Sequence, residues 1–479
     1  MPIPVILSII PVLAALLILF FPQTKKPQRI KHIAFIFSLL PLIFLLYFSW
    51  TRTLTGAEVD YVWIKALSIH FHLAIDPLSS IFLYITAIVI PFSLLAINDR
   101  PFRFINGFCS LILVLQGLLL IFFMAKDLAL FTIFWEAILL PVYFIMNLAG
   151  GTHRQGAAVH FLIYMIAGSA LMVAAVLGLY YESSIADGQG TFNLHALEQT
   201  AKTARHAGIL GAIFLLAFSV KTPLFPFHAW LPSAYTQSST SGTILLSALL
   251  SKAGVYGFLR IGLPLFPQQI AAWNPLLLGA AITGVLYGGL IAWQQRDFKR
   301  LIAFSSFSHV NFILAGVFAL SEVANRGAVL QAINHAGLIT ALFLLCGWLE
   351  ERIFTTSMDK VSGLAKYLPR LCWISLFFSL AAVALPGTNN FIGELLIFYG
   401  LFAIHPILTF ILGLSIILSV MYMLYFMKKI YFSKSTPDFS RLKDMNTKEL
   451  LIMTPLIILV LWIGIYPKPV LELIWETLK

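Results

Sequence analysis

Long apolar runs alternate with short polar breaks along the whole chain. A helix needs about 20 apolar residues to cross the hydrocarbon core of a bilayer, and the runs reach that length again and again. The pattern predicts fourteen helices, near residues 2–22, 31–51, 76–97, 106–125, 128–148, 157–181, 207–235, 241–264, 273–293, 300–320, 326–350, 371–404, 406–431 and 447–467. The seventh and twelfth are broken. In "LAFSVKTPLFPFHAWLPSAYTQSSTSG" a lysine, Lys221, enters an apolar run and Pro223, Pro226 and Pro232 follow. In "ALPGTNNFIGELLIFYG", Pro386, Gly387, Asn389 and Asn390 interrupt the run and Glu394 comes next. The first run, "MPIPVILSIIPVLAALLILFF", lacks a basic leader and a small-residue cleavage site and reads as a retained span.

The pattern also repeats. "KDLALFTIFWEAI" from Lys126 matches "KRLIAFSSFSHVN" from Lys299 at Lys, Leu and two Phe positions. The same spacing places Glu136 on His309 and carries Lys221 onto Glu394. Five predicted helices fill one period. An odd number turns the second copy upside down, and inverted repeats with matching broken helices are a transporter architecture whose site lies near the midplane. The expected fold is an all-α polytopic membrane protein with two inverted five-helix repeats. Residues 1–105 form an N-terminal three-helix segment, 106–264 the first repeat, 273–431 the second, and 432–479 the last loop and fourteenth helix.

Composition supports the bilayer. The chain is 60% hydrophobic and 11% charged, against about 25% charged for soluble domains. The net charge of +11 reads as basic cytoplasmic loops rather than nucleic-acid binding. With the N-terminus outside, 20 of the 31 Lys and Arg residues fall in inside loops, among them Lys25, Lys26, Arg100, Arg103, Lys428 and Lys429. Nine fall outside, including Lys126, Arg260 and Lys479, and two, Lys221 and Lys252, fall within spans. This bias fits fourteen spans with both termini on the outer, periplasmic side of a bacterial inner membrane.

Ionisable groups inside spans are costly and point to function. Glu136, in "FTIFWEAILLPVYF", has no basic residue within a turn and is suited to hold or modulate a proton. Lys221 sits where proline frees upstream carbonyls; it either caps them or exchanges a proton under control of Glu136. Lys252, in "LLSALLSKAGVYGFLR", is too far from both helix ends to reach water by extending, and small neighbours leave room for water beside it. His309 and His335 are either hydrogen-bonded core residues or relay groups, since imidazole titrates near neutrality. Glu394 closes the series. His228 reads as a loop residue, and His70 and His72, in "LSIHFHLAIDPLSS", as an exposed loop pair rather than a metal site. Cys109, Cys346 and Cys372 are scattered and read as core. Glycine-rich dinucleotide loops, nucleophile elbows and Cys/His clusters are absent.

Taken together, "FWEAILLPVYF", "VKTPLFPFHAWLPSAYTQSSTSGTILLSALLSKAGVYGFLR", "SSFSHVNF", "PGTNNFIGELLIFYG" and "GIYPKPVLE" resemble the antiporter-like proton-pumping subunits of respiratory complex I over nearly the whole chain. Within that family the chain is most similar to the branch with glutamate, here Glu394, where sister subunits and cation/proton antiporters carry lysine. The chain ends soon after the last span, without the long lateral helix of one sister subunit. The resemblance implies that Glu136 tunes Lys221, that Lys252 is the central relay group, that His309 and His335 lie on a hydrated axis, and that Glu394 faces the exit. The family's flavin, iron–sulfur clusters and quinone are then expected on partner subunits, with no cofactor or metal on this chain. Partners would be neighbouring membrane subunits and lipid. Departures from the family lie in loops such as 182–206. Alternatives are an Mrp-type cation/proton antiporter subunit, a paralogue in a membrane hydrogenase or inorganic-carbon uptake complex, or a passive scaffold, which would gain nothing from buried charges.

Overall fold

A computed structural model describes residues 2–22, 27–98, 104–434 and 438–476. Lys25, Lys26, Arg100, Arg103 and Lys479 lie outside the described residues. In chain order the helices are α1 (Ile3–Leu19), α2 (Pro27–Trp50), α3 (Pro77–Leu95), α4 (Ile105–Met124), α5 (Leu128–Ala137), α6 (Leu139–Leu148), α7 (Arg154–Asp187), α8 (Leu194–Thr203), α9 (Ala207–Lys221) and α10 (Trp230–Gln237). They continue with α11 (Thr240–Leu265), α12 (Pro267–Gln294), α13 (Phe298–Phe318), α14 (Glu322–Ile353), α15 (Pro369–Ala382) and α16 (Asn389–Phe402). The last three are α17 (Pro406–Phe432), α18 (Thr447–Ile465) and α19 (Lys468–Trp475). Among the described residues, eleven helical stretches are long and apolar enough to cross a membrane, α5 and α6 counting as one, and three shorter apolar helices, α1, α9 and α15, accompany them.

Helix starts are written in the sequence. Asp76 caps α3 in a reciprocal box with Ser79, with Pro77 at the first helical position; such a proline loses nothing, because its missing N–H has no partner in the helix. Asp127 and Asp297 cap α5 and α13 by accepting from the backbone N–H of Leu130 and Arg300. Asn446 and Glu449 box the start of α18.

The chain folds into two compact units. The first holds Met1–Thr222, Gln237–Leu245 and Leu249–Asn274; the second holds Pro223–Thr236, Leu246–Ala248 and Pro275–Lys479. In the first, α1 packs on α4 and α2, and α7 on α9 and α6. In the second, α14 packs between α13 and α16 and also meets α18.

One expectation fails in the first unit. His70 and His72 are not in a loop. They lie on β2 (Ile69–Ala74), paired antiparallel with β1 (Glu58–Ile64). The stretch "IHFHL" alternates, which is the period of a strand, and it buries Ile69 and Leu73 on one face. The histidines face acids across the ladder: His70 Nδ1 is 2.7 Å from Asp60 Oδ1, and His72 Nε2 is 2.5 Å from Glu58 Oε1.

Candidate functional site

The first break is built by proline. α9 ends as Thr222 closes its last turn on the Phe218 carbonyl, with both backbone N–H (2.9 Å) and hydroxyl (2.7 Å). Pro223 and Pro226 then deny the helix its donors, and regular structure resumes only at Trp230. A second irregularity faces this one. Between α5 and α6 the helix is interrupted at Ile138, three residues before Pro141. There the Trp135 carbonyl accepts a hydrogen bond of 2.9 Å from Lys221 Nζ. The same ammonium lies 3.7 Å from the centre of the Trp135 ring, so a carbonyl and a π face share one cation. Glu136, half-buried, follows Trp135 and acts on Lys221 electrostatically. Lys221 is 1% exposed.

Lys252, equally buried, lies on α11 between two π-helical turns, Leu246–Leu250 and Phe258–Gly262. Such widened turns cluster at functional sites. Its ammonium donates to Ser251 Oγ at 3.3 Å. α11 approaches the end of α9 so closely that a Cβ on Gly254 would stand 1.9 Å from Thr222 Oγ1 and 3.0 Å from the Phe218 carbonyl. Only glycine fits, and the helix carrying Lys252 is thereby seated against the residue that follows Lys221.

The second unit gathers the other three predicted residues. His309 Nδ1 is 3.7 Å from Glu394 Oε1, and the His309 and His335 rings are 5.7 Å apart between centroids. All three are under 10% exposed. The repeat spacing pairs Lys221 with Glu394, but the two stand on opposite sides of their breaks. Lys221 is the last residue of α9, before its break, whereas Glu394 lies on α16, after its break. The second interruption turns through Ala384 and Gly387 at φ of 56° and 91°.

Several polar residues escaped the sequence reading. Tyr422 places its hydroxyl 3.5 Å from His309 Nε2 and accepts from Ser305 Oγ at 3.0 Å. Asn311 clamps the segment after the first break: its Nδ2 donates to the carbonyls of Pro223 (3.1 Å) and Phe307 (2.9 Å), and its Oδ1 accepts from Phe225 N (3.3 Å). The asparagine of "SHVN" carries no charge, and an uncharged polar residue does not stand out in an apolar run. His228 stacks among Phe225, Tyr287 and Phe307, within an aromatic cluster. Among the described residues no three His, Cys, Asp or Glu side chains group as a metal site.

Arg260, counted among the outside charges, is inside α11. Its guanidinium donates at 2.6 Å to Asp76 Oδ1 and at 3.0 Å to the Tyr256 hydroxyl. Lys126 reaches the other Asp76 oxygen. Burial resists ionisation of Asp76, but Arg260 and then Lys126 outweigh it and hold the carboxyl well below the usual carboxylate range.

Residues 125–421 match the family model described as NADH:quinone oxidoreductase/Mrp antiporter, transmembrane. NADH-quinone oxidoreductase subunit M of Pseudomonas aeruginosa is 37% identical over 422 residues, covering 87% of this chain and 83% of that protein. NADH-ubiquinone oxidoreductase chain 4 of Marchantia polymorpha is 32% identical, covering 97% of this chain and 94% of that one. A chain of respiratory complex I from Thermus thermophilus superposes with a TM-score of 0.88 at 29% identity, covering 99% of this chain and all of that one. A chain of the Mrp complex from Dietzia sp. gives 0.87 at 19% identity, covering 99% and 96%, a likeness of fold. By the span of the family model and the identity to its relatives, the chain belongs to the NADH:quinone oxidoreductase/Mrp antiporter transmembrane family.

Proposed function

We infer that this chain is a proton-translocating membrane subunit of NADH-quinone oxidoreductase, the M-type subunit of its relatives. Quinone reduction elsewhere in the complex drives the proton movement. Flavin, iron–sulfur clusters and quinone belong to partner subunits, and this chain contacts neighbouring membrane subunits and lipid. The observation that carries the reading is Lys221: a fully buried ammonium held by one backbone carbonyl and one aromatic face, beside Glu136. Neither neutral partner fixes the proton on the amine as an ion pair would. A change in the charge or position of Glu136 alters the balance. The relay uses Glu136, Lys221 and Lys252 in the first unit and His309, His335 and Glu394 in the second, with Tyr422 as an added hydroxyl.

The eleven long helices together with the three shorter apolar ones support fourteen spans, with α9–α10 and α15–α16 as the broken seventh and twelfth. The repeat boundaries 106–264 and 273–431, both termini periplasmic, and residence in a bacterial inner membrane complete the proposal. Lys221→Leu in the intact complex should leave NADH oxidation running while protons moved per NADH fall. A normal ratio would refute the assignment. Glu394 separates this reading from an Mrp-type antiporter subunit, for which lysine is expected at that place.

A further inference from the structure

The second break holds amides that the relay above does not use. Gln331 and Asn334 on α14, and Asn389 and Asn390 on α16, are all fully buried. They touch one another: Asn334 Nδ2 donates to the Asn389 carbonyl at 2.7 Å, and Asn389 Nδ2 to the Asn334 carbonyl at 3.4 Å. Gly393 lets them close in, since a Cβ there would stand 2.2 Å from Gln331 Oε1 and 3.1 Å from Asn334 Nδ2. Yet five of their polar atoms have no protein partner: Gln331 Nε2, Asn334 Oδ1, Asn389 Oδ1, and both Oδ1 and Nδ2 of Asn390. Buried polar groups are almost always satisfied, so something other than protein satisfies these.

The chemistry of the orphaned atoms identifies the occupant. Asn390 lacks both a donor for its oxygen and an acceptor for its nitrogen, and turning the amide over changes nothing. A sodium ion serves oxygens only, and an anion serves N–H groups only. Water donates and accepts, and buried water sits where two to four such groups converge. Asn390 also lies four residues before Glu394 on α16, on the same helix face, and Glu394 reaches His309.

We propose that Gln331, Asn334, Asn389 and Asn390 bind water beside Glu394, forming a proton-conducting extension of that carboxylate that does not take sodium. The proposal rests on the proton-translocating reading above. The test uses the purified complex in liposomes, with protons moved per NADH measured with and without sodium. Asn390→Leu removes both orphaned atoms while keeping the branched shape of the side chain and should cut the ratio to the level of Lys221→Leu. Asn390→Ser, whose hydroxyl also donates and accepts, should keep most of it. Sodium should change neither result. Normal pumping by Asn390→Leu, or ²²Na⁺ uptake that Asn390→Leu abolishes, overturns the proposal. If Lys221→Leu pumps normally the proton-translocating reading fails; if only Asn390→Leu does, the water site alone fails. Should Asn390→Leu not assemble, a high-resolution map of the unaltered complex decides. Water within hydrogen-bonding distance of both Asn390 amide atoms supports the site, and an ion on the amide oxygens alone, or a dry gap, overturns it.

Discussion

Asp76 offers a test in which charge can be separated from helix capping. Its carboxylate caps α3 through Ser79 N at 2.8 Å and stands between two cations, Arg260 at 2.6 Å and Lys126. Asp76→Asn keeps a capping oxygen, since asparagine caps about as well as aspartate, but removes the charge. At about 4 Å and an effective dielectric constant of about 20, each pair is worth about 4 kcal/mol. Desolvation offsets much of that, and removing one member of a buried pair costs about 3–5 kcal/mol. Asp76 keeps 29% side-chain exposure, which places the expectation at the low end, about 3 kcal/mol. At about 1.4 kcal/mol per tenfold, the lifetime of the detergent-solubilised complex at a fixed elevated temperature should shorten roughly a hundredfold. Asp76→Ala should cost about 1 kcal/mol more, for the lost cap. The folded carboxyl is held below its ordinary value, so its contribution is fully present above the unfolded value of about 3.9 and is lost as pH falls through the lower folded value. The gap between Asp76→Asn and the parent should therefore stay constant from about pH 5 to neutrality and close in stronger acid. Equal lifetimes at pH 7 would refute the reasoning.

Other substitutions test the helix breaks. Gly254→Ala forces a methyl group onto Thr222 and the Phe218 carbonyl; it should destabilise by about 1–3 kcal/mol and slow proton translocation, read from thermal inactivation and liposome acidification. Asn311→Leu strands the Pro223 carbonyl and the Phe225 N–H, each costing about 1–3 kcal/mol if buried and unpaired. Hydrogen exchange should speed up across 223–236 while α18 is unaffected. Tyr422→Phe removes the hydroxyl between Ser305 and His309 and should lower the pumping rate without preventing assembly, measured on the same vesicles.

Much of this was legible in the sequence because the bilayer punishes ambiguity. A charge such as Lys252 in the middle of an apolar run stands out, and a Pro-Leu-Phe-Pro segment cannot stay helical. Uncharged polar groups do not stand out in that way. Asn311, Asn334 and Asn390 matter through hydrogen-bond geometry, which becomes visible only once α13, α14 and α16 are in place. Arg260 was misread for a related reason: near the end of a span, a cation reads as a loop charge unless its partner is known, and Asp76 lies 184 residues away. The hairpin was hidden because two short alternating segments are faint against long helices. The spacing that pairs Lys221 with Glu394 joins a residue before one break to a residue after the other, an order already visible in the sequence.

The close contact between Gly464 and the second break bears on how such chains can be recombined. A Cβ on Gly464 would stand 2.3 Å from the Gly387 carbonyl, so α18 is moulded to the turn that precedes Asn390 and Glu394. Chimaeras that take α18 from a relative should tolerate changes along most of its length but not a side chain at this position. α18 and the segment leading into α16 are thus inherited as a matched pair, and the natural crossover point for grafting lies before residue 369 rather than between α17 and α18.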